Sequence, residues 1–518
     1  MSQGFDRRSF LKMSGLAAAN LTVPMSVYAV PVHAVLLHAA PLHAATTYQP
    51  AWESLAKHTT PSWFEDAKFG IYFHWGVYSV PAFGYEWYSR DMYIEGTACN
   101  KFHNLVWGPP AKFGYKDFIP RFHAEKFNAE EWAQLFRRAG AKFAGPVAEH
   151  CDGFSMWDSK VNRWNAARMG PGRDVVGEMS RAIRNEGLTF ISTFHHQWLW
   201  GWYPTMNSSL DCSDPQYRGL YGPPAPGSPF DYTHFPSKTP PAPPEFQETF
   251  IAKTREVIDK YRPSLIYFDS RLNIIDQHRL ADLFSYYYNQ GEQWHQEVTF
   301  TYKNTDVPTG AGLLDIERGR LAELAPYKWL TDDAIDWNSW CNVQNPDYKS
   351  ARHIVTELVD IVSKNGNLLL DIPPAADGVI PEPVVERLHA IGKWLEVNGE
   401  AIYGTRPWKT YGEGPTHVKG GNFGDEKSVD FTAEDVRFTT RPKTLYATAL
   451  DWPANGRELV IKSMGTHANL LEKGEIVHVS LLGSDANLSW RQNEEGLRIA
   501  LPPAKPGDFA YVFKLSLN

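Results

Sequence analysis

Cysteine is scarce in this 518-residue chain: Cys99, Cys151, Cys212 and Cys341 are the full set, and no two form a C-x-x-C pair. That spacing excludes the common zinc and dithiol motifs. A disulfide framework is not needed either, because the chain is long enough to bury one large core and a smaller second one. Long basic runs are also missing. The balance of 51 basic against 59 acidic residues gives a net charge of −8, which argues against nucleic acid as a partner. Long hydrophobic runs are absent: the apolar stretch from Met13 to Val30 is broken by polar residues and Pro24, so no membrane partner is expected for the mature form. There is no internal repeat, and the composition is not that of a disordered chain. What the chain has in quantity is aromatic side chains, 14% of residues with 19 tryptophans.

The first 45 residues read as a signal and linker rather than fold. Arg7-Arg8-Ser9-Phe10-Leu11-Lys12 followed by an Ala-rich apolar stretch is the pattern of a twin-arginine export signal, with small-x-small cleavage sites near Ala29 and Ala44. The expected location is periplasmic or secreted.

From residue 46 to 400, short apolar runs alternate with amphipathic segments. Phe69 to His74, Phe143 to Glu149, Thr189 to Phe194, Ser264 to Phe268 and Asn367 to Ile372 read as strands. A helix opens at the Asn128 N-cap with Glu131 placed for a capping box; others run from Asp174 to Glu186, Glu245 to Tyr261 and Lys349 to Ser363. Pro204 to Pro244, rich in Pro, Gly and Ser, reads as a long loop. The alternation predicts an α/β fold, an irregular (β/α)8-like barrel. Residues 401–518 change character: Lys443 to Ala449, Glu458 to Ile461, Ile476 to Leu481, Leu497 to Leu501 and Ala510 to Leu515 predict a C-terminal antiparallel β-sandwich.

Polar residues fall where the apolar runs stop. His74, Glu149 and His150, His195 and His196, Asp269 and Asp371 all lie at predicted strand ends. In a barrel these ends open on one face, where catalytic groups gather. None of the histidines has the i, i+4 helical spacing of a metalloprotease; a mononuclear metal-dependent barrel hydrolase stays open as an alternative, but no metal or cofactor is expected. Trp75, Trp87, Trp157 and Trp198 lie close by in sequence. Indoles mixed with His, Asp and Glu suit a neutral polyhydroxy ligand, and glycoside hydrolysis needs two carboxyl groups rather than a metal.

The residues around these positions resemble glycoside hydrolase family 29, the α-L-fucosidases. The resemblance rests on Lys68-Phe69-Gly70-Ile71-Tyr72-Phe73-His74-Trp75-Gly76, Glu86-Trp87-Tyr88, His150-Cys151-Asp152-Gly153-Phe154, Trp157-Asp158-Ser159, Gly172-Arg173-Asp174, Pro263 to Asp269, Asp360 to Leu370 and Val397 to Thr405. It implies a barrel followed by a β-sandwich, and release of terminal α-L-fucose with retention from a fucose-containing oligosaccharide or polysaccharide. It implies Asp269 as nucleophile, with His74, Glu86, Trp87 and His150 on the sugar, joined by one of His195 and His196. Phe73, Trp75 and Phe268 are candidates for the apolar wall that the fucose methyl requires, although strand alternation also allows them to face the core.

The acid/base follows from a second pattern of the family: Glu317-Arg318-Gly319 upstream of Trp329-Leu330-Thr331-Asp332 marks Glu317, with Arg318 reaching the sugar or orienting the site, and Asp332 and Asp333 as fallbacks. Three positions depart from the family. Leu330 stands where some members carry a glutamate, Cys151 where a second histidine is usual, and Asp371-Ile372-Pro373-Pro374 where Asn-x-Gly-Pro is usual. Cys151 is the smaller and weaker hydrogen-bond partner. It keeps open a related α-L-sugar, L-galactose or a substituted or sulfated fucose, and a catalytically weak fucose-binding protein. Oligomeric state is not readable from the chain, and a homo-oligomer is compatible with it.

Overall fold

The computed structural model describes residues 47–225, 241–425, 427, 430–453 and 458–518. The export signal and linker, and residues 226–240 of the long loop, lie outside the described residues. Among the described residues no helix is long and apolar enough to cross a membrane.

Eight parallel strands close into a barrel in chain order: β1 Phe69–Phe73, β2 Phe143–Glu149, β3 Thr189–Phe194, β4 Leu265–Phe268, β5 Thr299–Lys303, β6 Leu313–Glu317, β7 Trp329–Ala334 and β8 Gly366–Ile372. β8 returns to β1 with Phe69 opposite Leu368 and Phe73 opposite Ile372. Side chains alternate across the wall, as the period of two requires. Tyr72, Phe143, Ile191, Leu265, Tyr267, Leu330 and Leu369 form the interior. Phe69, Ile71, Phe73, Phe190, Phe194 and Phe268 face the surrounding helices.

Those helices carry their own stop and start signals. Asn128 Oδ1 accepts from the N–H groups of Glu130 and Glu131 and caps Ala129–Arg138. Asp174 caps Val175–Asn185 through the Gly177 N–H, and Gly187 follows it with φ +74°. Pro244–Tyr261, Gln277–Trp294, Ala351–Ser363 and Glu382–Asn398 complete the long ones. No helix stands between β5 and β6 or between β6 and β7, connections whose residues are all described, and this makes the barrel irregular.

After the barrel the chain forms two antiparallel sheets. One has the order β13-β16-β11-β10-β9, from Ile476–Leu481, Tyr511–Leu517, Thr444–Ala449, Val436–Arg441 and Arg406–Glu413. The other is β12-β15-β14, from Glu458–Ile461, Leu497–Ala500 and Trp490–Gln492. Phe438, Leu445 and Phe513 of the first meet Leu459, Ile461 and Ile499 of the second in a separate core. The segment between β9 and β10 does not stay with these sheets. Gly421 forms an antiparallel bridge with Arg320, just beyond β6, where the barrel lacks a helix. A Cβ on Gly319 would lie 2.1 Å from the Gly421 carbonyl oxygen, so the approach requires glycine.

Candidate active site

The alternation that fills the barrel also selects what its mouth presents. On β4 the inward series Leu265, Tyr267 ends in Asp269; on β5 Thr299, Thr301 ends in Lys303; on β6 Leu313, Asp315 ends in Glu317. β1 and β3 contribute His74 and His195 one residue past their ends, β2 contributes His150, and β8 ends its inward series in Asp371. Together they line a cavity of about 380 Å³ with Glu86, Trp87, Cys151, Trp198, Trp340, Asn422 and Phe423, while Asp371 supports it from beneath. That is room for one monosaccharide and part of a second group.

Lys303 is the centre of its charge. Its Nζ lies 2.8 Å from Glu317 Oε2, 3.3 Å from Asp269 Oδ1, 3.3 Å from Asp332 Oδ1 and 3.4 Å from Asp315 Oδ2. One ammonium touching both Asp269 and Glu317 places the contacting oxygens, Asp269 Oδ1 and Glu317 Oε2, no more than about 6 Å apart, so the two carboxyl groups share one end of the cavity. Burial opposes the Lys303 charge, but Asp332, Glu317, Asp269 and Asp315 outweigh it and hold the ammonium above its ordinary range. Four carboxyl groups around one cation cannot all ionise cheaply. Burial, with Asp269 and Asp332 adding to it against the pull of Lys303, pushes Glu317 up to about 7. Burial and Asp332 push Asp315 well up. Asp332 Oδ2 accepts from Tyr267 Oη at 2.8 Å and Tyr72 Oη at 3.2 Å, forming the floor.

Opposite this acidic side stand three imidazoles. The rings of His74, His150 and His195 form a triangle with centroids 4.9–5.3 Å apart. Burial pushes all three well below their ordinary range, so they are neutral at physiological pH, each offering one donor and one acceptor. Asp371 Oδ1 accepts from the His74 backbone N–H at 2.9 Å and lies 2.8 Å from Nδ1, which turns Nε2 toward the cavity. Their ring nitrogens do not converge as metal ligands do. Among the described residues only His353, Glu357 and Asp425 bring donor atoms within 4.8 Å of one another, and Lys349 and Arg320 already occupy Asp425. Glu86 accepts from the Trp340 N–H at 3.1 Å, and Trp87 meets Trp198 and Trp202 at 5.5 and 4.8 Å.

The structure thus brings together Asp269, Glu317, His74, Glu86, Trp87, His150, Cys151 and His195. Of the alternatives left open, it puts His195 rather than His196 in the cavity and gives Arg318 the orienting place rather than a place in the cavity lining. His196 turns outward, stacks on Phe250 at 4.4 Å and lines a different hollow, because adjacent residues at a strand end face opposite ways. Arg318 does not line the cavity. Its Nη1 donates to the Asp336 and Trp337 carbonyls, and its guanidinium lies 4.4 Å from the Trp340 ring centre, so it holds the wall in place. Phe73, Trp75 and Phe268 are all core residues facing the helices. Of the fallback acids, Asp332 reaches the cavity, whereas Asp333 points away onto Lys349. Lys303, Trp340, Asn422 and Phe423 were not anticipated. Lys303 had a signal, an inward-alternating run ending in a charge; the other three arrive through tertiary contacts with no local pattern.

Comparison with known proteins agrees with this geometry. A family model described as "Alpha-L-fucosidase" matches residues 35–400, and one described as "Alpha-L-fucosidase C-terminal domain" matches residues 429–516. Tissue α-L-fucosidase of Rattus norvegicus is 33% identical over 482 residues, covering 90% of this chain and 92% of that protein. Its Homo sapiens counterpart is 32% identical, covering 90% and 92%. The structure of Thermotoga maritima α-fucosidase in complex with fucose aligns with a TM-score of 0.70 and 28% identity, over 90% of this chain and all of the other. A fold, a second domain and a cavity that all agree lead to one conclusion: the chain belongs to the α-L-fucosidase family, glycoside hydrolase family 29, and is a fucose-releasing glycosidase.

Proposed function

We propose that this protein releases terminal α-L-fucose from oligosaccharides or polysaccharides by double displacement with retention, with Asp269 as nucleophile and Glu317 as acid/base. The observation that supports the reading is the Lys303 bridge, which brings one oxygen of each carboxyl group onto the same cation at one end of the cavity, the paired carboxyl groups that double displacement requires. In the first step an Asp269 oxygen forms a bond to the anomeric carbon as the bond to the leaving oxygen breaks, and Glu317 gives that oxygen its proton. In the second, Glu317, now a carboxylate, takes a proton from water as the water oxygen displaces Asp269 and frees fucose. A Glu317 pushed up to about 7 is poised between its two forms near neutral pH, as a group that must first give and then take a proton requires. His74, His150 and His195, uncharged, suit the neutral hydroxyls of the sugar, and Trp87 and Trp198 suit its C–H faces.

Cys151 supports a second reading on the same mechanism. Its small thiol, pushed up by burial and therefore uncharged, lines the cavity 3.7 Å from His150 Nε2. It leaves room for L-galactose or a substituted fucose. The Arg7-Arg8 pattern supports delivery to the periplasm or beyond the cell.

The test is hydrolysis of p-nitrophenyl α-L-fucoside with the first-formed anomer read by NMR. Fucose appearing first as the α-anomer, and abolished by Asp269→Ala, is the expected result. The β-anomer appearing first would mean that the mechanism is inverting. Faster release from the L-galactoside than from the fucoside would favour the second reading.

A further inference from the structure

The rim above Glu317 is not made by the barrel. Residues 421–425 are tied to residues 317–320 by backbone hydrogen bonds: Phe423 N–H donates to Glu317 O at 2.7 Å, Asp425 N–H to Arg318 O at 3.0 Å and Gly421 N–H to Arg320 O at 2.9 Å. Asn422 Oδ1 accepts from Glu317 N–H at 2.9 Å, and its Nδ2 donates to Asn304 Oδ1 at 3.1 Å. Asp425 anchors this ribbon on Arg320 at 2.7 Å and Lys349 at 2.6 Å. Phe423 lines the cavity yet is 63% exposed, with φ +55°, a conformation that bulky residues rarely adopt. An aromatic ring held out at a cavity mouth by a firmly tied backbone has a face to offer.

We propose that Phe423, with Asn422 and Asn304, forms the subsite for the leaving group and that it takes a pyranose sugar. The inference rests on Glu317 as the acid. The atom that Glu317 protonates is the glycosidic oxygen, so whatever that oxygen carries must lie against the residues flanking Glu317. These are an aromatic face, which stacks on sugar C–H bonds, and two uncharged amides with N–H groups left for hydroxyls. The enzyme therefore discriminates by its leaving group, favouring fucosyl oligosaccharides over fucosides of small non-sugar groups.

The experiment measures kcat/KM on α-L-fucosyl fluoride, whose leaving group is too small to reach Phe423, and on fucosyl disaccharides linked (1→2) to galactose and (1→3) or (1→6) to N-acetylglucosamine. The full chain is compared with Phe423→Ala and Phe423→Trp. The expected result is a disaccharide-to-fluoride ratio at least tenfold lower in Phe423→Ala and retained in Phe423→Trp. An unchanged ratio in Phe423→Ala overturns the subsite, as does an equal loss in both variants. A wild type that hydrolyses the fluoride and none of the disaccharides overturns the subsite alone, whereas inactivity on every fucosyl substrate overturns the fucosidase reading with it.

Discussion

At the barrel mouth one cation, Lys303, serves four carboxyl groups; behind β7, four cations serve four. There Lys349 pairs with Asp333 and Asp425, Arg320 with Glu357 and Asp425, and Lys364 and Arg437 with Asp360 at 2.9 and 2.6 Å. Both clusters are buried, and the difference is in the balance. In the second, burial works against Asp360, but Arg437, Lys364 and Arg320 outweigh it and hold the carboxyl well below its usual range. Asp425 is held low in the same way by His353, Lys349 and Arg320. In the first, burial and the neighbouring carboxylates outweigh the single cation and push Glu317 and Asp315 up. The second cluster fixes the charges of Asp360 and Asp425 and joins the post-barrel ribbon to the barrel, although burial, with Asp333 and Asp425 beside it, pushes Glu357 well up even there. An under-neutralised cluster keeps a proton ready to move.

The largest test of this contrast is Asp269→Asn. It removes negative charge from the crowded side and should lower kcat/KM on aryl fucosides by roughly 10⁴-fold while leaving the melting temperature unchanged or higher. Lys349→Met makes the opposite trade: it leaves Asp333 without its cation, and Asp425 with Arg320 and His353 alone, and should cost about 3–5 kcal/mol in urea unfolding. Retained stability would mean that the second cluster does not hold the fold.

Glu317→Gln should cost about 10²–10³-fold on poor leaving groups and far less on good ones. In wild type, kcat/KM should fall as pH rises past about 7, because the acid then loses its proton; that limb should vanish in the variant. A limb that persists in Glu317→Gln would assign it to another group. Asp360 gives a smaller effect of opposite sign. Its depressed folded value contributes stability that is present above the ordinary carboxylate range and lost as pH falls below about 4. Acid unfolding should therefore flatten in Asp360→Asn. Smallest of all, His196→Ala should change kcat/KM by less than about threefold, against roughly 10–100-fold for His195→Ala.

The same division explains how much the sequence alone reveals. β1 to β4 and β8 are apolar enough to read as strands, and their polar ends mark half the cavity. β5, β6 and β7 are TFTYK, LLDIE and WLTDDA. Their inward positions carry Thr301, Lys303, Asp315, Glu317 and Asp332, the acidic side of the site, so they lack the hydrophobic signature by which strands are recognised. Function erased the pattern there. Phe73 and Phe268 show the converse: proximity in sequence to His74 and Asp269 suggests the pocket, but a period of two sends neighbours to opposite faces. Asn422 lies 105 residues from the Glu317 it touches, a pairing that no local reading contains.

That pairing bears on how such enzymes can recombine. With Glu317 as the proposed acid and Phe423 in the proposed leaving-group subsite, a genetic crossover placed between the barrel and the following sheets would give the offspring one parent's proton donor and the other parent's rim. Selectivity for what leaves would be inherited through the downstream fragment, separately from selectivity for the sugar that stays.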